Sequence, residues 1–558
     1  MTASHRITFV IAIGIFLLAI ILFIYFFYHL NDQIVDDPKL NAKKHTYAIH
    51  QLGHLDLYAE YHRLIRTSVD NKNEYPIGYR IIEYNKALKT SKISTLNWIE
   101  RGPSNVGGRT RALIVDPDDP NRETIWAGSV SGGLWKTTDG GRSWHSQTDH
   151  FPSLSVSSLV MAESDHNIIY LGTGGDAWSE PVNGLGIFRS SDRGETWEHL
   201  ASTMENQDFV DVYRLLIDPE NPNIVMAATN GGIFRTSDSG LIWDNVCCST
   251  KLTHFTTLIA QPRNFDMQIA VGEYTFPFYS LDAGSTWQQT YLPLAESPPQ
   301  RTEIAFSPSD PNIVYAATYD TNSSNLYKSN DGGITWISTV DDLQFDWMVG
   351  AGDWRNAIAV HPFNPNTVFV GGVQLHRILV SDITTIENRL LRMFDFEIDV
   401  EASAHADHHV IAPVIVDSIN KQFWIFNAND GGIAVSFDNG IHFTELDLNA
   451  SGYNTSQFYG ISKKPGANVY IGGTQDNGTW MSNNLPEKNS EWENHLWGDG
   501  FETIWHSTDP ELLLGSLQYS AIYKSVDGGN SWGRLPDMIK DRELGQFFTT
   551  YPYDNTIS

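Results

Sequence analysis

The sequence predicts an all-β fold, a β-propeller of four-stranded blades, preceded by an N-terminal transmembrane helix and a short helical connector. Three observations predict it: an apolar run confined to the first thirty residues, a strand-and-turn texture after residue 98, and a short phrase that keeps returning.

Residues 1–30 contain an uncharged, mostly apolar stretch, Ile7 to Tyr28, about the length a helix needs to cross a hydrocarbon core. Arg6 precedes it, while Asp32, Asp36 and Asp37 follow. The positive-inside tendency then sets the N-terminus in the cytoplasm and the bulk in the periplasm or on the cell surface, as a single-pass membrane protein. FFYHLNDQ supplies no small-x-small cleavage site, which favours an uncleaved anchor over a signal peptide. Residues 31–98 read as a partly helical connector: Leu57, Tyr58, Tyr61, Leu64 and Ile65 share one helical face, and 78–89 fits a second short helix.

Residues 99–558 carry the repeat. GLWKTTDGGRSW, ending at Trp144, sets a hydroxyl, an acid, a glycine and an indole in fixed order around Asp139. The order recurs around Asp192, Asp238, Asp282, Asp331, Asp438 and Asp527, with gaps of 53, 46, 44, 49, 107 and 89 residues. The two long gaps are each about two periods, and weaker copies fall inside them near Asp382 and before Trp492. That gives nine units and the start of a tenth near Phe547, so the chain holds seven to ten blades, or one complete propeller and part of a second. A period of about 40–55 residues built from four short strands is a propeller signature. Within the phrase, the hydroxyl and carboxylate bond the turn's backbone, the glycine admits positive φ and the indole covers the turn.

Composition narrows the partners. Acidic residues outnumber basic ones by 66 to 37, a formal charge of −29, so most of the surface repels phosphate backbones and nucleic acid is excluded as a partner. Cys247 and Cys248 are the only cysteines and are adjacent, so they can close no long loop.

On these phrases the chain resembles the Asp-box (BNR-repeat) propellers, whose relatives include sialidases, xyloglucanase-type glycoside hydrolases and the sortilin ectodomain. WIERGPSNVGGRTRALIVDP, HADHH, NDGG, GGTQDNGTW and GDGFETIW also look like segments of large secreted bacterial proteins with such repeats. The resemblance implies a binding or active face away from the boxes. Strand alternation implies the same: if the boxed turns join third and fourth strands, the other face is made by the segments leading into first strands and by the loops between second and third.

Read at those places, the sequence offers Arg109, Arg111, Asp353, Arg355, His405, Asp407, His409, Gln457, Tyr459, Asp499 and Glu502 before first strands, and Asp430, Gln475, Asp476 and Asn477 before third strands. Asp430 and Asp476 hold equivalent places in successive blades. In HADHH, His405, Asp407 and His409 share a face if extended, but their roughly 6.5–7 Å spacing is too wide for three ligands to meet one ion without a bend, so no metal and no cofactor is expected.

Two functions follow. The first is a membrane-anchored propeller that binds a glycan or extracellular protein through the face opposite the boxes. The alternative is a glycoside hydrolase with Asp407, Asp430, Asp476 and Asp499 as candidate catalytic carboxyls. A sialidase-like version would take Arg109, Arg111, Arg301 and Arg355 for a substrate carboxylate. A xyloglucanase-like version would use a cleft between two seven-bladed propellers.

Overall fold

Short runs of apolar and β-branched residues, cut by Asp-Pro, Asn-Pro and Gly-Gly turns, are too brief for helices and pair with their sequence neighbours. The computed structural model describes residues 79–90 and most of 99–536. Outside the description lie 1–78, 91–98, 176–183, 248–253, 294, 296, 321–322, 340–345, 383–384, 391–403, 447–451 and 537–558. A helix, Tyr79–Thr90, comes first. Nine four-stranded antiparallel sheets follow, each a simple meander of consecutive strands. We call them blades 1 to 9. Their first strands are Thr110–Val115, Val156–Met161, Val212–Ile217, Phe255–Gln261, Arg301–Phe306, Ala357–Val360, His408–Asp417, Phe458–Lys463 and Thr503–Trp505.

The first strands of blades 1 to 7 touch in succession, and that of blade 7 returns to that of blade 1. These seven propeller-like blades therefore close a circuit with the first strands innermost. Each junction has its own apolar core. At the closing junction Trp135 and Trp144 of blade 1 pack with Phe426, Ile433 and Val435 of blade 7 around Tyr453. Tyr453 also shares a hydrogen bond with Thr110 Oγ1 at 2.8 Å. Blades 8 and 9 pack on each other through Ile471, Trp505 and Leu513, while Val106, ahead of blade 1, packs with Trp480 and Trp492 of blade 8.

The repeated aspartates all behave alike. Asp139, Asp192, Asp238, Asp282, Asp331, Asp438 and Asp527 each accept a hydrogen bond from the hydroxyl two residues before, at 2.7–2.9 Å. Each also accepts from the amide four residues after, at 2.8–3.0 Å. These turns join third and fourth strands. Arg193 in the blade 2 turn grips Asp116 (2.6 Å) and Asp118 (2.7 Å), which lie between the first two strands of blade 1, so both kinds of loop share one end of the ring.

The other end is shaped by a recurring irregularity. In blades 1, 2, 3, 4, 7 and 8 one extra residue interrupts the first-to-second-strand register near the start of the first strand. The extra residues are Arg111, Ser157, Tyr213, Thr256, His409 and Tyr459. A bulge re-aims the side chain at its position, and here it does so at equivalent places around the axis.

One sequence expectation is corrected. Among the described residues no helix is long and apolar enough to cross a membrane. The expected span, residues 7–28, lies outside the described residues. The transmembrane helix, the membrane as a partner and the single-pass, periplasmic or cell-surface placement are accordingly withdrawn. The expected tenth unit near Phe547 also falls outside the described residues.

Candidate functional site

At the end of the ring opposite the aspartate turns, four carboxylates from three blades converge. Asp407 stands just before the first strand of blade 7, Asp430 and Asp476 between second and third strands of blades 7 and 8, and Asp499 just before blade 9. Oxygens of Asp407, Asp430 and Asp476 all lie within 4.8 Å of one another. The Asp476 amide donates to Asp499 Oδ1 at 2.7 Å. Local backbone makes this possible: Asp407 (φ 69°) and Asp476 (φ 61°) are left-handed, a conformation aspartate tolerates better than most residues. Gly431 lets the His405 ring come so close that a Cβ there would lie 2.5 Å from it.

Basic groups surround the acids. Arg355 Nη1 is 2.9 Å from Asp407 Oδ1, His409 Nε2 is 2.6 Å from Asp430 Oδ1, and Arg109 Nε is 3.9 Å from Asp476 Oδ2. Arg109 also donates to Gln457 Oε1 at 2.6 Å. His405 Nε2 meets the Asp476 carbonyl at 3.1 Å, and Asn477 Nδ2 donates to the Asp430 carbonyl at 3.0 Å. These bonds tie blade 8 to blades 1 and 7.

The carboxyls differ in protonation. Burial pushes Asp407 up to about 7 in spite of Arg355, with Asp430 and Asp499 adding repulsion. Burial and then the charges of Asp499 and Asp430 push Asp476 well above the usual range, and burial likewise raises Asp499. Asp430 goes the other way. Burial opposes its ionisation, but His409 by charge and hydrogen bond, then Arg111 and Arg109, hold it below the usual carboxylate range. Neighbouring carboxyls are thus driven in opposite directions by their surroundings.

Not every expected residue joins the cluster. Asp353 contributes its carbonyl, which accepts from Arg301 Nη1 at 2.9 Å. Tyr459 stacks obliquely on Phe501 at 4.8 Å between ring centroids. Glu502, raised by partial burial, is anchored by its amide on Ser516 Oγ at 3.0 Å. Gln475 lends its carbonyl to Asn477 at 3.0 Å. His405 and His409 do not face a common point: one reaches blade 8, the other Asp430. The three close carboxylates could by spacing hold a cation, yet Arg109, Arg111 and Arg355 already compensate their charge.

Sequence reasoning missed Gln518, whose Nε2 donates to Asp499 Oδ2 at 2.5 Å, and Glu445, which accepts from the His405 amide. Gln518 was within reach, since it occupies in blade 9 the place that Gln475 occupies in blade 8. Glu445, on the outer strand of blade 7, gave no such signal. His408, held by Asn427 at 2.8 Å and lowered to about 3 by full burial, is a neutral packing group.

Comparison with known proteins supports a class before any closer likeness. A family described as "Sortilin, neurotensin receptor 3" matches residues 231–361. Among solved structures a GH74 enzyme from Niastella koreensis superposes with a TM-score of 0.56 at 15% identity, covering 80% of this chain and 68% of that one. The chain therefore resembles sortilin-type and GH74 propeller folds distantly, at superfamily level. Two curated proteins align as well. A probable oligoxyloglucan-reducing end-specific xyloglucanase from Neosartorya fischeri is 22% identical over 46% of this chain, and xyloglucanase Xgh74A from Acetivibrio thermocellus 27% identical over 41%. The aligned stretches span 36% and 25% of those relatives. Both relatives are named as xyloglucanases. The expectation of a membrane-anchored binding protein is corrected, because no helix among the described residues is long and apolar enough to cross a membrane.

Proposed function

We propose that the chain is a glycoside hydrolase acting on a xyloglucan-type glucan, with Asp407 as proton donor and Asp430 as its ionised partner. On this reading the nine sheets are Asp-box blades, seven in a first propeller and two belonging to a second. The substrate lies over the carboxylates where blades 8 and 9 meet the ring. The catalytic body on this reading falls within residues 99–558, after the segments 1–30 and 31–98 in the sequence.

One observation carries the reading: two carboxyls less than 4.8 Å apart whose surroundings drive their protonation in opposite directions. Such divergence is how a pair of like residues divides acid and base work. Asp407 keeps its proton near neutral pH and can give it to a departing glycosidic oxygen. Asp430, ionised by His409, can stabilise or capture the positive charge that develops at the anomeric carbon. Burial raises Asp476 and Asp499, and Arg109 and Arg355 fix the positions of Asp476 and Asp407. The xyloglucanase names of the two curated relatives supply the substrate class.

Separation predicts stereochemistry. Retaining pairs stand about 5–5.5 Å apart and inverting pairs about 6.5–9.5 Å, and oxygens of Asp407 and Asp430 within 4.8 Å of each other fit the shorter class better. Proton NMR of the first product released from xyloglucan oligosaccharides by the full chain should show the substrate's own anomeric configuration. An inverted first product would place the base outside the trio and remove Asp430 from the role. Absence of any cleavage would remove the hydrolase reading.

A further inference from the structure

Beneath the carboxylates the ring axis encloses a second feature with the opposite charge. A cavity of about 40 Å³ is lined by Arg111, Tyr213, Arg214, Thr256, Arg301 and His409 among others, and no carboxylate is in its wall. That volume is well above the roughly 10–15 Å³ that admits one water. Four of these six residues, Arg111, Tyr213, Thr256 and His409, are the extra residues of the first-strand bulges, which turn their side chains toward the axis.

Two further facts point to a ligand. Thr256 is only 3% exposed and its hydroxyl meets no partner among the described residues. A buried hydroxyl left without a hydrogen bond is costly. Two of the arginines meet at one acid: Glu303 is 3.4 Å from Arg214 and 3.1 Å from Arg301. His409, whose ring closes the top, is committed to Asp430. Cations gathered about an axis, in a chain of net charge −29, attract an anion that the protein's surface repels.

We propose that this cavity binds a compact anion, a carboxylate or a sulfate-sized oxyanion, through Arg111, Arg214 and Arg301 with the Thr256 hydroxyl as an added donor. Glu303 competes for the same guanidinium groups. The site does not depend on the hydrolase reading, because its readout is binding alone.

The test is calorimetric titration of the full chain with sodium sulfate and sodium acetate, and separately with a glucuronate-bearing oligosaccharide. Ionic strength is held with a bulky sulfonate buffer salt too large for the cavity. Saturable binding of the free ions assigns the site to a free anion, and binding of the oligosaccharide alone assigns it to an acidic group carried on a sugar. Thr256→Val and Arg214→Gln should each weaken binding at least about tenfold, the size of a hydrogen bond to a charge. Glu303→Gln should tighten it, by freeing its two arginines. A structural role alone would not move affinity in opposite directions in those two variants. The proposal is overturned if neither probe binds the folded wild-type chain, or if Glu303→Gln weakens binding as Arg214→Gln does. Circular dichroism confirms that each variant is folded.

Discussion

Asp407 concentrates the chemistry into one side chain. The residue is 7% exposed, and its carboxyl pairs with Arg355 and is raised to about 7, so the folded protein holds a proton that the unfolded chain releases near pH 4. The sign is fixed by that difference. Where the native state binds more protons, stability falls as pH rises, here between about pH 4 and 7. Denaturant titrations should show this decline in the wild type and a flatter profile in Asp407→Asn. His409→Gln should strip Asp430 of its main compensating charge, and xyloglucan hydrolysis should then fall at least tenfold in a chain that still folds. The histidine-rich segment was readable in the sequence as chemistry but not as geometry. Extended spacing separates its ligands, and only the left-handed turn at Asp407 and the bulge at His409 decide that the acids converge while His405 and His409 part.

Among the elements, the aspartate turn and the bulge illustrate what sequence can and cannot carry. The turn was legible because these contacts are local: hydroxyl, acid, glycine and amide lie within seven residues. Replacing Asp282 by Ala removes the acceptor of three such bonds and should cost about 1–2 kcal/mol in chemical denaturation, in the range of lost helix caps. Acid has a matching effect. Asp527 is lowered to about 2 by the Ser531 hydroxyl and amide and then Ser525, so its contribution is present above pH 4 and is lost as pH falls toward 2. The bulges were not legible, since a single extra residue leaves the apolar pattern almost unchanged while turning one side chain to the axis.

For the whole molecule, the period implied about nine units and the start of a tenth, and the described residues form nine four-stranded sheets, but which blades close the ring is not written in the period. Closure depends on contacts between blade 1 and blade 7, about 300 residues apart in the chain, and local pattern holds no record of them. Phe426 is 2% exposed at that junction. Phe426→Ala should cost about 3–5 kcal/mol and lower the unfolding midpoint of the ring. The junction also brings the site together, because Arg109 and Arg111 arrive from blade 1 and Asp407 and Asp430 from blade 7. Equivalent positions in the repeat foretold that Asp430 and Asp476 would share a face; their approach to within 4.8 Å required the ring and blade 8 in place.

Release of reducing ends from xyloglucan, followed with the full-length wild type and with Asp407→Asn at pH 5 to 8, bears most directly on the hydrolase reading. Wild-type cleavage should fall as pH rises through about 7, and the variant should lose at least a hundredfold in rate while remaining folded. Equal cleavage by both proteins, or none by either, would contradict it.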